Sequence, residues 1–113
     1  MSFLSKLLGN KRYNNISNEE LQQIIKANKN VLILDVRNPD EYKTGHIPKS
    51  RNIPVQNLNS KLSSLQPHKD EAVIVYCASG GRSSKAATIL SNGGFNKVYN
   101  LGGISNYKGK LEK

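Results

Sequence analysis

Apolar and polar positions follow two rhythms along this chain. After Ser17 the rhythm is helical, with Leu21, Ile24 and Ile25 on one face. Ser17 and Glu20 form a capping box that opens this helix, which runs to about Asn28. Val31-Leu32-Ile33-Leu34 is then a continuous apolar run, of the type buried on both sides of a parallel sheet, and Asp35 stands at its carboxyl end. Asn38-Pro39-Asp40-Glu41 starts a short helix, with Pro39 suited to the first turn and Gly45 ending it. Asn52-Ile53-Pro54 predicts a short third strand, and the spacing of Leu58, Leu62 and Leu65 predicts a helix over 55–65. Ala72 to Tyr76 is the next buried strand. Arg82 to about Asn92 reads as a helix with Ala86, Ile89 and Leu90 inward, stopped by Gly93-Gly94. Lys97-Val98-Tyr99 predicts a last strand, and Gly102-Gly103 introduces a turn or helix through Tyr107. Strand and helix alternate with short connections, so the fold class is α/β, with a mainly parallel sheet covered on both faces.

With 113 residues the chain has length for a single core. We expect an N-terminal arm over 1–12, a short helix or a disordered stretch, followed by one domain over 13–113. In the arm, Phe3, Leu4, Leu7 and Leu8 share a face if helical. The arm lacks the long apolar core and small-residue cleavage site of a signal peptide. No apolar run approaches the ~20 residues that span a bilayer. The single cysteine excludes an internal disulfide and a multi-cysteine zinc cluster, and it suits a reducing, cytoplasmic location. No cofactor or metal is expected.

The net charge is +9, yet the cations are scattered lysines without a dense basic run or interleaved aromatics, so a nucleic-acid partner is not expected. Between Glu71 and Glu112 there is no acidic residue, while Arg82, Lys85, Lys97, Lys108 and Lys110 all fall there. That stretch predicts a positive field, favourable to anionic ligands and to thiolate formation.

Cys77 lies inside it, directly after the strand and before a glycine-rich turn. In parallel α/β sheets the working groups collect beyond the carboxyl ends of the strands, and Asp35 and Cys77 both fall there. Gly80 and Gly81 give the loop torsional freedom. The N–H groups of Ala78, Ser79, Gly80, Gly81, Arg82 and Ser83 can then converge as an anion-binding nest, with the positive end of the following helix behind them. Such a setting favours Cys77 as a thiolate nucleophile. Arg82 adds a permanent charge, and Ser83 either caps the helix or donates to the anion. Taken singly, a cysteine at a strand end is packing, Gly-Gly is a turn, and Arg82 is a surface cation. Their combination, Cys-x-x-Gly-x-Arg-Ser after a strand, argues for a site.

These residues resemble the active loop of single-domain rhodanese-like sulfurtransferases. Leu34-Asp35-Val36-Arg37 with Glu41-Tyr42 and Gly45-His46-Ile47-Pro48, followed by Asn52-Ile53-Pro54, resembles the family's upstream motif. Asn100-Leu101-Gly102-Gly103-Ile104 resembles its closing motif. The resemblance covers roughly residues 13 to 108. It implies a five-stranded sheet and a persulfide mechanism: Cys77 takes the outer sulfur of a small anionic donor such as thiosulfate and passes it to a thiol or cyanide acceptor, with a sulfur-relay protein as a further candidate partner. Loop amides would hold the donor's oxyanion. Asp35 would order the loop, Arg37 and Glu41, four apart, would form an ion pair, His46 would fix a turn, and His68 would lie at the surface. Lys49-Ser50 departs from the family's frequent Gly-Ala, and Tyr107 stands where an aromatic, commonly Trp, closes the domain.

Two other readings compete. Thiol phosphatases and arsenate reductases use Cys-x5-Arg loops, whereas this chain has the shorter Cys-x4-Arg and no second cysteine to resolve an oxidised one. Alternatively Cys77 is a non-turnover sulfur carrier that docks to a partner.

Overall fold

The computed structural model describes residues 13–113. The expected arm and its Phe3, Leu4, Leu7 and Leu8 lie outside the described residues. The elements in chain order are β1 (Tyr13–Asn15), α1 (Asn18–Ala27), β2 (Val31–Asp35), α2 (Pro39–Thr44), β3 (Ser50–Asn52), α3 (Val55–Lys61), a 3₁₀ segment (Ser63–His68), β4 (Ala72–Cys77), α4 (Gly81–Asn92), β5 (Lys97–Gly103) and a closing 3₁₀ turn (Ile104–Asn106). The strands form one parallel sheet in the order β1-β5-β4-β2-β3.

Successive residues of a strand point to opposite faces, and both faces here are covered. Leu32 and Leu34 of β2, with Val73, Val75 and Cys77 of β4, pack against Leu58, Leu65, Ala86, Ala87 and Leu90 from the α3 and α4 side. Ile33, Ile74 and Tyr76 turn to the other face and meet Leu21 of α1 and Ile47. Every residue of β4 is buried, which is why its sequence is a run of apolar residues without alternation.

Local chemistry sets the ends. The Ser17 hydroxyl accepts from the Glu20 amide at 3.1 Å, and the Glu20 carboxylate accepts from the Ser17 amide at 2.9 Å, so the expected capping box is present. The helix expected over 55–65 is shorter. Regular α-helix ends at Lys61, and a 3₁₀ segment containing Pro67 brings Leu65 into the core. Proline has no N–H to donate to a continuing α-helix. The third strand sits two residues earlier than expected, although Ile53 still donates to the Asp35 carbonyl at 3.0 Å.

β5 runs further than expected, through Gly102-Gly103 rather than ending at Tyr99. Val75 lies opposite Asn100 and Tyr76 opposite Gly102, so Leu101 is an extra residue in the ladder. Gly102 takes up this bulge with φ +87°, and its amide donates to Asn100 Oδ1 at 2.9 Å.

Candidate functional site

β4 delivers Cys77 to the carboxyl end of the sheet, and α4 starts four residues later at Gly81. Between them the backbone reverses at Gly80, whose φ of +108° a side-chain-bearing residue rarely adopts. That reversal aims two amides at the sulfur. Gly80 N–H donates to Cys77 Sγ at 2.9 Å and Ser83 N–H at 3.3 Å. Ser83 is fully buried, and its hydroxyl donates to the Gly80 carbonyl at 3.1 Å, closing the turn on itself.

Cys77 is 1% exposed. Burial opposes ionisation of its thiol, but the Ser83 hydroxyl and the amides of Ser83, Gly80 and Ser79 outweigh it, and the thiol sits below its ordinary value. Ala78, Ser79 and Gly81 are exposed above the sulfur. The arrangement is a shallow cradle of main-chain donors around a sulfur poised to ionise, capable of nucleophilic attack on an electrophilic centre brought to its rim. A cleft of about 480 Å³ lies elsewhere, lined by Ile25, Val31, Ile47 and Tyr107 among others, and contains no residue of this loop.

The charged residues are partnered differently from expectation. Arg37 does not pair with Glu41. It turns back on Asp35, donating Nη2 to Oδ2 at 2.6 Å and Nε to Oδ1 at 3.0 Å, with its own amide on Oδ1 at 2.9 Å. A helical i,i+4 pair was ruled out by the chain itself, since Arg37 precedes the helix that carries Glu41. Arg37 Nη2 also reaches the Gly45 carbonyl at 2.7 Å, and its guanidinium stands 5.7 Å from the Tyr76 ring centroid. Both Asp35 and Arg37 are buried. Asp35 therefore gives both its oxygens to Arg37 and orders the α2–β3 connection, not the Cys77 loop.

Glu41 goes instead to Arg82. Nη1 donates to Oε1 at 2.7 Å and Nη2 to Oε2 at 3.0 Å, a two-pronged pair between α2 and the first turn of α4. Oε1 also accepts the Asn38 amide at 2.9 Å. The bond from Arg82, followed by that from the Asn38 amide, lowers the Glu41 carboxyl to about 2, and the same pair holds Arg82 above its ordinary value. Below pH 4.5 this contribution to stability fades as Glu41 takes up its proton, and above it the contribution is complete. With each side chain about one third exposed it is worth about 0–1 kcal/mol. Arg82 is thus not aimed at an anion in the cradle, contrary to the sequence expectation. Glu41 was the site-region residue given the wrong partner, and its carboxylate in the first turn of α2 was the only local signal.

His46 has the turn-fixing place expected of it. Its ring stacks on Tyr42 at 3.7 Å between centroids, and Nδ1 lies 2.9 Å from the Tyr42 carbonyl. His68 is half-buried and 2.7 Å from Glu71. Among the described residues no group of histidines, cysteines and carboxylates could hold a metal ion, and no helix is long and apolar enough to cross a membrane.

Comparison with known proteins identifies the family. The Rhodanese-like domain model matches residues 17–110. A tRNA uridine(34) hydroxylase of Escherichia coli is 36% identical over 87 residues, which are 73% of this chain but 25% of that protein, so the chain spans about a quarter of the length of that relative. Among solved structures, a rhodanese with anions from E. coli matches with TM-score 0.69 and 32% identity, over 74% of this chain and 99% of the other. A rhodanese-related protein from Thermoplasma volcanium matches with TM-score 0.72 and 39% identity, over 84% and 90%. With its five parallel strands, its cysteine loop at the end of β4 and a family match over most of its length, the chain belongs to the rhodanese-like family.

Proposed function

We propose that this protein is a sulfurtransferase that carries sulfane sulfur as a persulfide on Cys77. The observation that supports this most is the pair of amides, from Gly80 and Ser83, directed at Cys77 Sγ. The thiolate attacks the outer sulfur of a donor. With thiosulfate, the S–S bond of the donor breaks, sulfite leaves with the bond's electron pair, and Cys77–S–S⁻ remains. An acceptor thiolate or cyanide then attacks the terminal sulfur, and the Cys77 thiolate is released. Covalent capture of this kind divides the transfer into two steps with ping-pong kinetics.

The residues we assign are Cys77 as nucleophile and the main chain of Ala78, Ser79, Gly80, Gly81, Arg82 and Ser83 as the cradle for the donor and the bound sulfur. Asp35 and Arg37 act further out, as a buried pair that fixes the α2–β3 connection through the Gly45 carbonyl. A phosphatase reading is weaker, because its chemistry needs an arginine fork on the phosphoryl oxygens and the Arg82 fork is on Glu41. The activity named for the hydroxylase relative belongs to a chain about three times as long and is not carried over.

Mass spectrometry after incubation with thiosulfate tests the proposal. We expect Cys77 to gain one sulfur atom that cyanide or a dithiol removes, and Cys77→Ser to gain none while keeping its fold. An unmodified wild-type Cys77, or transfer at equal rate by Cys77→Ser, overturns it.

A further inference from the structure

The acid-free stretch around Cys77 argues in sequence for a strongly anionic donor. The fold offsets the one cation of that stretch that belongs to the loop: Glu41, which precedes the stretch, holds Arg82 at 2.7 Å. Glu41 is the main reason Arg82 sits above its ordinary value, and a negative Cys77 sulfur adds to it, so whatever neutralises Arg82 also alters the potential at the sulfur. Lys85, one turn along α4, is exposed to solvent, where salt screens its charge. An incoming donor therefore meets backbone N–H dipoles beside an Arg82 guanidinium that Glu41 already holds.

The consequence depends on donor charge. Thiosulfate brings two negative charges to a thiolate that already carries one. A thiosulfonate, R–SO₂–S⁻, presents the same outer sulfur and a similar oxygen face with one charge fewer. Attack by Cys77 breaks its S–S bond, releases R–SO₂⁻ with the electron pair, and leaves the same Cys77–S–S⁻. A persulfide anion, R–S–S⁻, is likewise singly charged at the reacting sulfur.

We propose that Glu41 is a specificity-determining residue: by holding Arg82 through both carboxylate oxygens it keeps the rim of the cradle neutral and biases the site towards singly charged sulfane-sulfur donors over thiosulfate. This rests on the sulfur-transfer reading of Cys77. Glu41 acts through Arg82 and does not touch the reacting atoms.

The test uses the full chain with two donors matched in shape, thiosulfate and methanethiosulfonate, and follows sulfur loading of Cys77 as kcat and KM. Glu41→Gln removes the charge but keeps an oxygen for the Asn38 amide, so the start of α2 survives. We expect Glu41→Gln to move the ratio of kcat/KM towards thiosulfate by about five-fold, through KM, with the shift shrinking in high salt. Arg82→Gln leaves the carboxylate bare and should move the ratio the opposite way. In Glu41→Gln/Arg82→Gln the shift seen with Glu41→Gln alone should vanish. A wild-type Cys77 that loads from both donors, with a ratio that neither single variant moves, overturns this inference alone. A wild-type Cys77 that loads from neither donor overturns the transfer reading and this inference with it.

Discussion

Gly103 at the end of β5 lies directly beneath the carbonyl of Ala78 in the Cys77 loop. A Cβ on Gly103 would stand 2.8 Å from that oxygen and 3.4 Å from the Ser79 Cα. The two backbones touch because the Leu101 bulge carries Gly102-Gly103 under the loop. The φ of Gly103 is −78°, which alanine adopts freely, so this glycine is required for space and not for torsion. Gly103→Ala should cost about 1–3 kcal/mol. By displacing the amides around the sulfur it should also lower the rate of Cys77 loading by ~10- to 100-fold. Urea unfolding and sulfur-loading kinetics on one preparation check both.

Asp35 and Arg37 are a buried pair, and breaking one is costly because the survivor keeps its charge without a counter-ion. Asp35→Asn retains an oxygen for the Arg37 amide but leaves the guanidinium uncompensated at 5% exposure. The expected loss is about 3 kcal/mol or more. Replacing both residues with apolar ones should cost less than Asp35→Asn alone, which chemical denaturation of the two variants will distinguish.

The Cys77 thiol should ionise below its ordinary value, because the Ser83 hydroxyl and the loop amides outweigh the opposing effect of burial. Alkylation by iodoacetamide, followed against pH, should therefore rise to its plateau at a lower pH than for a model thiol. Linkage gives the stability effect its sign. The folded thiol is the stronger acid, so its contribution is complete above the unfolded value, about 8.5, and is lost as pH falls through the folded value. Wild type minus Cys77→Ala in unfolding free energy should grow with pH across that window.

Lys49 is the only residue other than glycine with positive φ among the described residues, at +69°. Holding a side-chain-bearing residue there costs about 1–2 kcal/mol, while glycine's greater freedom in the unfolded chain returns ~0.5–1 kcal/mol of that difference. Lys49→Gly should therefore stabilise the protein slightly, by about 0.5 kcal/mol, seen as a raised melting temperature.

Much of the fold was legible because it is written in local chemistry. The capping box at Ser17, the apolar runs of β2 and β4, and the strand-to-helix turn at Cys77 each depend on neighbours within a few residues. β1 was not legible in the hydrophobic pattern. Tyr13-Asn14-Asn15 is polar, and it is a strand because β5 offers it an edge with the register Tyr13 to Val98. The partners of the two arginines were hidden for the same reason. Spacing of four favoured Arg37 with Glu41, but the Arg82–Glu41 pair joins residues 41 positions apart, and only the fold, which brings the first turns of α2 and α4 within reach of each other, creates it. The cysteine and its amides were readable from sequence; the electrostatics around them were decided by tertiary contacts.

The C-terminal residues are fastened to the body of the protein. His46 and Glu112 exchange backbone hydrogen bonds of 2.8 Å in both directions, and Leu111 lies over Gly45, whose carbonyl holds Arg37. The tail is thus a clasp on the connection whose carbonyl receives the buried arginine. Removing residues 111–112 would undo that bridge and leave the Gly45 carbonyl less firmly held against the guanidinium.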